Sequence, residues 1–139
     1  MSLLIDPQKT AADPARSAAV SANAGSGKTK TLVDRVARLL LQGAKPETIL
    51  CVTFTKAAAS EMQRRLFQTL GAFAIARDEV LTAALSELEG RPAEAYDESR
   101  LSAARRLFAL ALETPGGLKI QTLHGFCEKL LRQFPWRRG

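Results

Sequence analysis

The sequence predicts an α/β fold of three parallel strands with flanking helices, interrupted by a helical insertion. Three observations carry that prediction. A glycine-rich turn, "SANAGSGKTKT" (Ser21–Thr31), lies between a short apolar run and an amphipathic stretch. Two further β-branched or apolar runs, "TILCVTF" (Thr48–Phe54) and "LKIQTL" (Leu118–Leu123), are each followed by helical spacing. Strands that alternate with helices lead to a parallel sheet with right-handed crossovers. Between Phe73 and Glu113, alanine, leucine and charges replace the β-branched residues, and this stretch reads as a helical hairpin set into the scheme.

Each element has its own signal. The first 17 residues carry two prolines among polar residues and read as an irregular lead-in. "SAAVSA" (Ser17–Ala22) is a weakly apolar run, taken as the first strand from its place before the glycine turn. "KTLVDRVARLLLQG" follows, with Leu32, Val33, Val36, Leu39 and Leu40 at spacings of three and four. Asp34, Arg35 and Arg38 lie opposite, and Gly43 is a natural stop. "TILCVTF" is continuous and apolar, the mark of a strand buried on both faces. The next helix carries Ala58, Met62, Leu66 and Leu70, with Gly71 as its stop. In the hairpin, Asp78 is placed to cap a helix bearing Leu81, Leu85 and Leu88, "GRP" breaks it, and a second helix bears Leu101, Ala104, Leu107, Phe108 and Ala111. After the third strand, Phe126, Cys127, Leu130, Leu131 and Phe134 form one helical face.

Composition narrows the function classes. A chain of 139 residues fits one domain. Its 46% hydrophobic and 24% charged residues are ordinary for a globular protein. The net charge of +6 leans toward an anionic partner such as nucleic acid or nucleotide. The start "MSLLIDPQKTAAD" lacks a basic segment followed by an apolar run, so no secretion signal is expected. No stretch approaches the length of an apolar membrane span. Cys51 and Cys127 lie far apart in apolar patterns and are expected to be reduced, buried thiols of a cytoplasmic protein.

The glycine turn is the most specific local signal. "ANAGSGKT" fits the phosphate-loop spacing G-x-x-x-x-G-K-[ST] from Ala22 to Thr29, with alanine in the first place. Gly25 and Gly27 have no Cβ, so the backbone of Asn23, Ala24, Gly25, Ser26 and Gly27 is free to turn N–H groups onto phosphate oxygens. The positive end of the following helix faces the same phosphates. Lys28 supplies a mobile charge for the β- and γ-phosphates, the Thr29 hydroxyl is a ligand for Mg²⁺, and Lys30 completes the set. ATP and Mg²⁺ are the expected cofactors, with Lys28 and Thr29 the catalytic candidates.

"TFTKAAASEM" and "TLHGFCEKLLRQFP" join this loop in an order that resembles the N-terminal part of UvrD-like superfamily 1 DNA helicases. Within them the chain is similar to the AddA-type helicase–nuclease subunits of bacterial double-strand-break repair complexes, and "ETPGGLKIQTLHGFCEKLL" carries most of that likeness. The resemblance covers nearly the whole chain. It implies that residues 1–139 form the N-terminal part of the first RecA-like motor domain, with residues 72–117 as the helical insertion. Gln8, 20 residues before Lys28, falls where the family's adenine-reading glutamine lies. Thr53, Phe54, Thr55, Thr122 and His124 match the motifs that line the single-stranded DNA path. The implied partners are single-stranded and duplex DNA and an AddB-like second subunit, with no membrane.

Open α/β sheets bind ligands at the C-terminal ends of their strands, so these motifs belong on one rim. Phe54 has a plainer reading as core packing at a strand end, and His124 as a helix cap. Lys56, Arg64 and Arg65 add charge to that region, or Arg64 and Arg65 simply solvate a helix face. Hydrolysis also needs carboxylates after a buried strand. Asp78–Glu79 and Asp97–Glu98 both lie in the helical insertion, and neither follows a strand-like run. The chain is therefore expected to be part of a longer helicase, inactive alone, with exposed faces such as Leu32–Val36–Leu39. A non-catalytic nucleotide- or DNA-binding module remains the alternative, and a small nucleotide kinase a distant third.

Overall fold

The computed structural model describes residues 7–18, 27–115 and 118–133. In order, these form α1 (Pro7–Ala11), α2 (Lys28–Leu41), β1 (Leu50–Thr53), α3 (Lys56–Ile75), α4 (Asp78–Glu89), α5 (Glu98–Glu113), β2 (Lys119–Thr122) and α6 (Leu123–Gln133), with short 3₁₀ turns at Pro46–Thr48 and Ala93–Ala95. β1 and β2 pair in parallel, in the register Leu50↔Lys119 to Thr53↔Thr122. The described residues thus hold a two-stranded sheet. The expected first strand, Ser17–Ala22, lies outside the described residues except for Ser17 and Ala18, which belong to no strand.

The core follows the helical spacing. Val33, Val36, Ala37 and Leu40 of α2 meet Met62, Leu66, Leu70 and Phe73 of α3 and Leu101, Leu107 and Ala111 of α5. Leu66, Leu70 and Leu81 are completely inaccessible. Each such leucine contributes about 2 kcal/mol through removal from water. α3 and α5 run antiparallel: Arg105 donates to the Ala76 carbonyl at 2.9 Å, while Phe108 meets Gly71 and stands edge-on to Phe67 with ring centroids 6.1 Å apart. The two expected helices form as α4 and α5, with α5 packed chiefly on α3, and Gly90 ends α4 with a left-handed φ of 68°.

Several expectations are corrected. Pro7–Ala11 is helical, not irregular; proline suits a first helical turn, and distant arginines satisfy the helix's last carbonyls. Gly71 does not stop α3, which continues four residues to Ile75 because Phe73 has a core position to fill. Asp78 is the first helical residue of α4, and Arg77 takes the cap position. Val36 is buried rather than exposed, because α2 packs on α3 and α5; Leu32 stays half exposed.

β1 is half-buried on one face and exposed on the other. Cys51 and Ile120 point to the helices, whereas Leu50 and Val52 on the other face are 44% and 43% exposed. α6 lies against both strands but buries none of its own residues, and Cys127 is exposed rather than buried. Both cysteines are free thiols, and burial raises the pKa of the Cys51 thiol. Among the described residues, no helix is long and apolar enough to cross a membrane.

Candidate functional site

Gly27 opens the site. Its φ of 89° and ψ of 13° place it in the left-handed region, which side chains with a Cβ rarely adopt. α2 starts directly after it. Its first amides are the orphan donors of any helix start, and among the described residues no side chain caps them. No acidic residue stands in the first turn, while Lys28 and Lys30 do. Lys28 is exposed and Thr29 half-buried. Lys30 is drawn to Asp34 at 2.8 Å, and Thr31 turns inward to donate to the Gly27 carbonyl at 3.1 Å. This helix start suits a polyphosphate with its cation: positive dipole, main-chain donors uncapped among the described residues, the Lys28 ammonium and the Thr29 hydroxyl. Ala22, Asn23, Ala24, Gly25 and Ser26 lie outside the described residues.

Beside it is a hollow of about 470 Å³ between Ala11, Ser17 and Ala18 on one side and Lys28, Thr31, Leu32 and Arg35 on the other. Gln8 stands on α1, the helix that borders this hollow; its side chain lies outside the described residues. Two arginines of α2 hold that helix. Arg35 Nη1 donates to the Ala11 carbonyl at 3.0 Å and Nη2 to the Arg16 carbonyl. Arg38 Nη1 donates to the Lys9 carbonyl at 3.1 Å. Sequence reasoning placed both on the polar face of α2 and missed this role. The one available signal was their spacing of three on that face, which many solvated helices share.

A second set of residues gathers at the C-terminal ends of the strands. Thr53 and Thr122 are register partners. Thr53 Oγ1 donates to the Thr55 carbonyl at 3.0 Å, which closes the turn between β1 and α3. Thr55 caps α3 by accepting the Ala58 amide at 3.0 Å. Thr122 does the same for α6, accepting the Gly125 amide at 3.0 Å. Phe54, between the two β1-end threonines, is 89% exposed, so the core-packing reading of this ring is not what the fold shows. His124 is on the first turn of α6, with an 86% exposed side chain whose Nε2 meets Glu128 at 3.1 Å. Lys56 begins α3. Arg64 and Arg65 lie farther along it and both bind Glu61, at 2.8 and 2.7 Å. Hydrogen bonds from Arg65 and then Arg64 hold the Glu61 carboxyl below its usual range.

Neither Asp-Glu pair ends a strand. Asp78 and Glu79 form the first turn of α4, where Asp78 pairs with Arg105, and Asp97 caps α5 by accepting the Arg100 amide at 2.9 Å. Among the described residues, no group of three or more His, Cys, Asp or Glu side chains is placed to hold a metal ion.

Residues 5–139 match the family described as the UvrD/REP helicase N-terminal domain. The chain is 36% identical to the AddA-type ATP-dependent helicase/nuclease subunit of Latilactobacillus sakei, over 96% of this chain and 13% of that protein. It is 35% identical to the protein of the same name from Ligilactobacillus salivarius, over 91% of this chain and 8% of that one. It is 38% identical to the RecBCD enzyme subunit RecB of Chlamydia trachomatis, over 84% of this chain and 12% of the relative. The chain thus spans 13% or less of the length of these relatives. No solved structure matches it significantly.

Proposed function

The chain belongs to the family of UvrD/REP helicase N-terminal domains, and from that premise we propose that it is the N-terminal part of the first RecA-like motor domain of an ATP-dependent DNA helicase subunit. Residues 72–117 are its helical insertion. The parent protein acts in double-strand-break repair by recombination in the cytoplasm, beside an AddB-like subunit, with nuclease activity elsewhere in its length. The names of the relatives support the helicase, nuclease and subunit readings.

The observation that carries the proposal is the separation of two sites by charge and shape. The start of α2 presents Gly27, Lys28 and Thr29 with no acid in its first turn. The strand ends present an exposed aromatic ring between threonines. The first suits phosphates, and the second suits a single-stranded backbone with an unstacked base. Mg²⁺, when bound, neutralises charge on the transferring phosphoryl group. Lys28 holds the β- and γ-phosphates, and Thr29 offers one oxygen ligand. Thr53, Thr55, Thr122 and His124 orient the DNA strand, and Phe54 stacks on a base. Asp78, Glu79, Asp97 and Glu98 are committed to helix starts, so the water-activating carboxylates come from another part of the parent.

The test is DNA-stimulated ATP hydrolysis by the complete gene product. Lys28→Ala abolishes hydrolysis and unwinding while single-stranded DNA binding survives. Near-normal hydrolysis by that variant overturns the proposal. Residues 1–139 made alone show no steady-state turnover; turnover by them would place the hydrolytic carboxylates within this chain. Nucleotide or DNA binding without any turnover in the complete protein would favour a non-catalytic module.

A further inference from the structure

We propose that Arg35 is a positioning residue that fixes the wall of a base-binding hollow, and so sets affinity for the base of the nucleotide rather than for its phosphates. The inference rests on the nucleotide reading above. It begins from the shortness of α1. A helix of five residues, Pro7–Ala11, has too few internal hydrogen bonds to persist by itself. Its last carbonyls find their donors beyond the helix, and that of Thr10 accepts the Asp13 amide at 3.2 Å. Arg35 supplies a donor to the Ala11 carbonyl from 24 residues away and reaches the loop beyond at Arg16. Arg38 adds a third bond at Lys9. Both guanidinium groups are positive charges at the negative end of a helix.

Other holds on α1 are weaker. Ala12 is seated in the core region at 2% exposure, but a methyl group buries little area. Lys9 pairs with Glu87 of α4 at 3.2 Å, yet those side chains are 40% and 79% exposed, and such pairs contribute little. The rigid fork of an arginine, by contrast, fixes two carbonyls at once. Those carbonyls bracket one wall of the 470 Å³ hollow, where Ala11, Ser17 and Ala18 face Leu32 and Lys28. That volume falls within the usual range for small-molecule sites. Alanine and leucine offer flat apolar contact for a heterocycle, and Lys28 stands at the phosphate end. Nη1 and Nη2 of Arg35 each bind a main-chain carbonyl of that wall, so it acts through the wall of the hollow it also lines.

The experiment compares ATP with inorganic tripolyphosphate, which has the phosphates and no base, in equilibrium binding to the complete gene product. Arg35→Ala is expected to weaken ATP by about tenfold or more, the loss that goes with charge-assisted hydrogen bonds. Tripolyphosphate affinity and the turnover number at saturating ATP stay within about twofold, as expected where only uniform ground-state binding is lost. Arg35→Lys, with a single-point donor, recovers part of the loss, and Arg38→Ala shows a smaller loss of the same kind. If Arg35→Ala fails to fold, the Lys and Arg38→Ala variants must still show the ATP-selective loss, or the inference falls. Equal losses for both ligands, or an unchanged ATP affinity, overturn it. Wild-type protein that binds neither ligand overturns the nucleotide reading itself, a different result from wild-type and variant proteins that bind both ligands equally well.

Discussion

Thr53 and Thr122 lie opposite each other in the parallel register of β1 and β2, and each is the last residue of its strand. Each hydroxyl shapes the turn that follows: Thr53 bonds to the Thr55 carbonyl, and Thr122 accepts the Gly125 amide. The two following helices therefore start at the same end of the sheet, with Phe54 between strand and helix at 89% exposure. A ring so exposed adds almost nothing to folding. Phe54→Ala is expected to leave stability within about 0.5 kcal/mol, as for ordinary surface changes. The same variant weakens single-stranded DNA binding by about 1–3 kcal/mol, the range for a lost base stack. Denaturation and DNA titration of the complete gene product check both; lost stability with unchanged DNA affinity would make the ring a packing residue.

Gly71 sits inside α3, where glycine costs backbone entropy. A Cβ there would meet Phe108 at 3.6 Å, an ordinary contact distance. Gly71→Ala is therefore expected to stabilise the fold by about 0.5–1 kcal/mol. A higher urea midpoint would agree, and a lower one would mean that α3 and α5 have no room for the methyl group.

Tyr96 is 8% exposed, and its hydroxyl donates to the Leu85 carbonyl at 3.0 Å, with Glu89 at 3.1 Å. Burial, and then the Glu89 carboxylate, push its pKa up to about 12. An unfolded tyrosine loses its proton near pH ~10. The stability that the neutral phenol supplies is thus complete below that pH and is lost as pH rises toward about 12. Tyr96→Phe is expected to cost about 1 kcal/mol near neutrality, the value of one hydrogen bond. The gap between wild type and variant then closes across that alkaline window. A pH-independent gap would separate the hydrogen bond from the titration.

Arg64 and Arg65 both bind Glu61, which sits nearer the start of α3. They lie about 12 Å or more along the helix from the strand-end rim. Arg64→Ala and Arg65→Ala are expected to leave single-stranded DNA affinity within about twofold and its salt slope unchanged. A fall in the slope by about one per residue would put them in the DNA path.

The helix that follows Gly27, the paired strands and the two helices α4 and α5 are legible because each depends on local chemistry. Spacings of three and four mark the faces of α2, α3 and α5, and the left-handed glycines Gly43 and Gly90 fall where helices end. Glycine alone does not stop a helix, however. Gly71 has the look of a stop, yet the buried Phe73 continues α3 past it, and burial of a side chain is a long-range outcome. The same holds for β1, whose apolar run predicts two covered faces while the described fold covers one.

By itself the sequence determined the family, the order of the elements from α2 to α6 and the residue types at both candidate sites, since motif spacing and side-chain chemistry travel with the chain. Tertiary structure decided the rest. It made Pro7–Ala11 a helix, because carbonyls without local partners found Arg35 and Arg38 across 24 and 29 residues. It turned Phe54 outward and brought Thr53 to Thr122, 69 positions later, because parallel pairing aligns strand ends that no local periodicity relates. A guanidinium group on a polar helix face looks the same in sequence whether it meets water or another helix; only packing tells which.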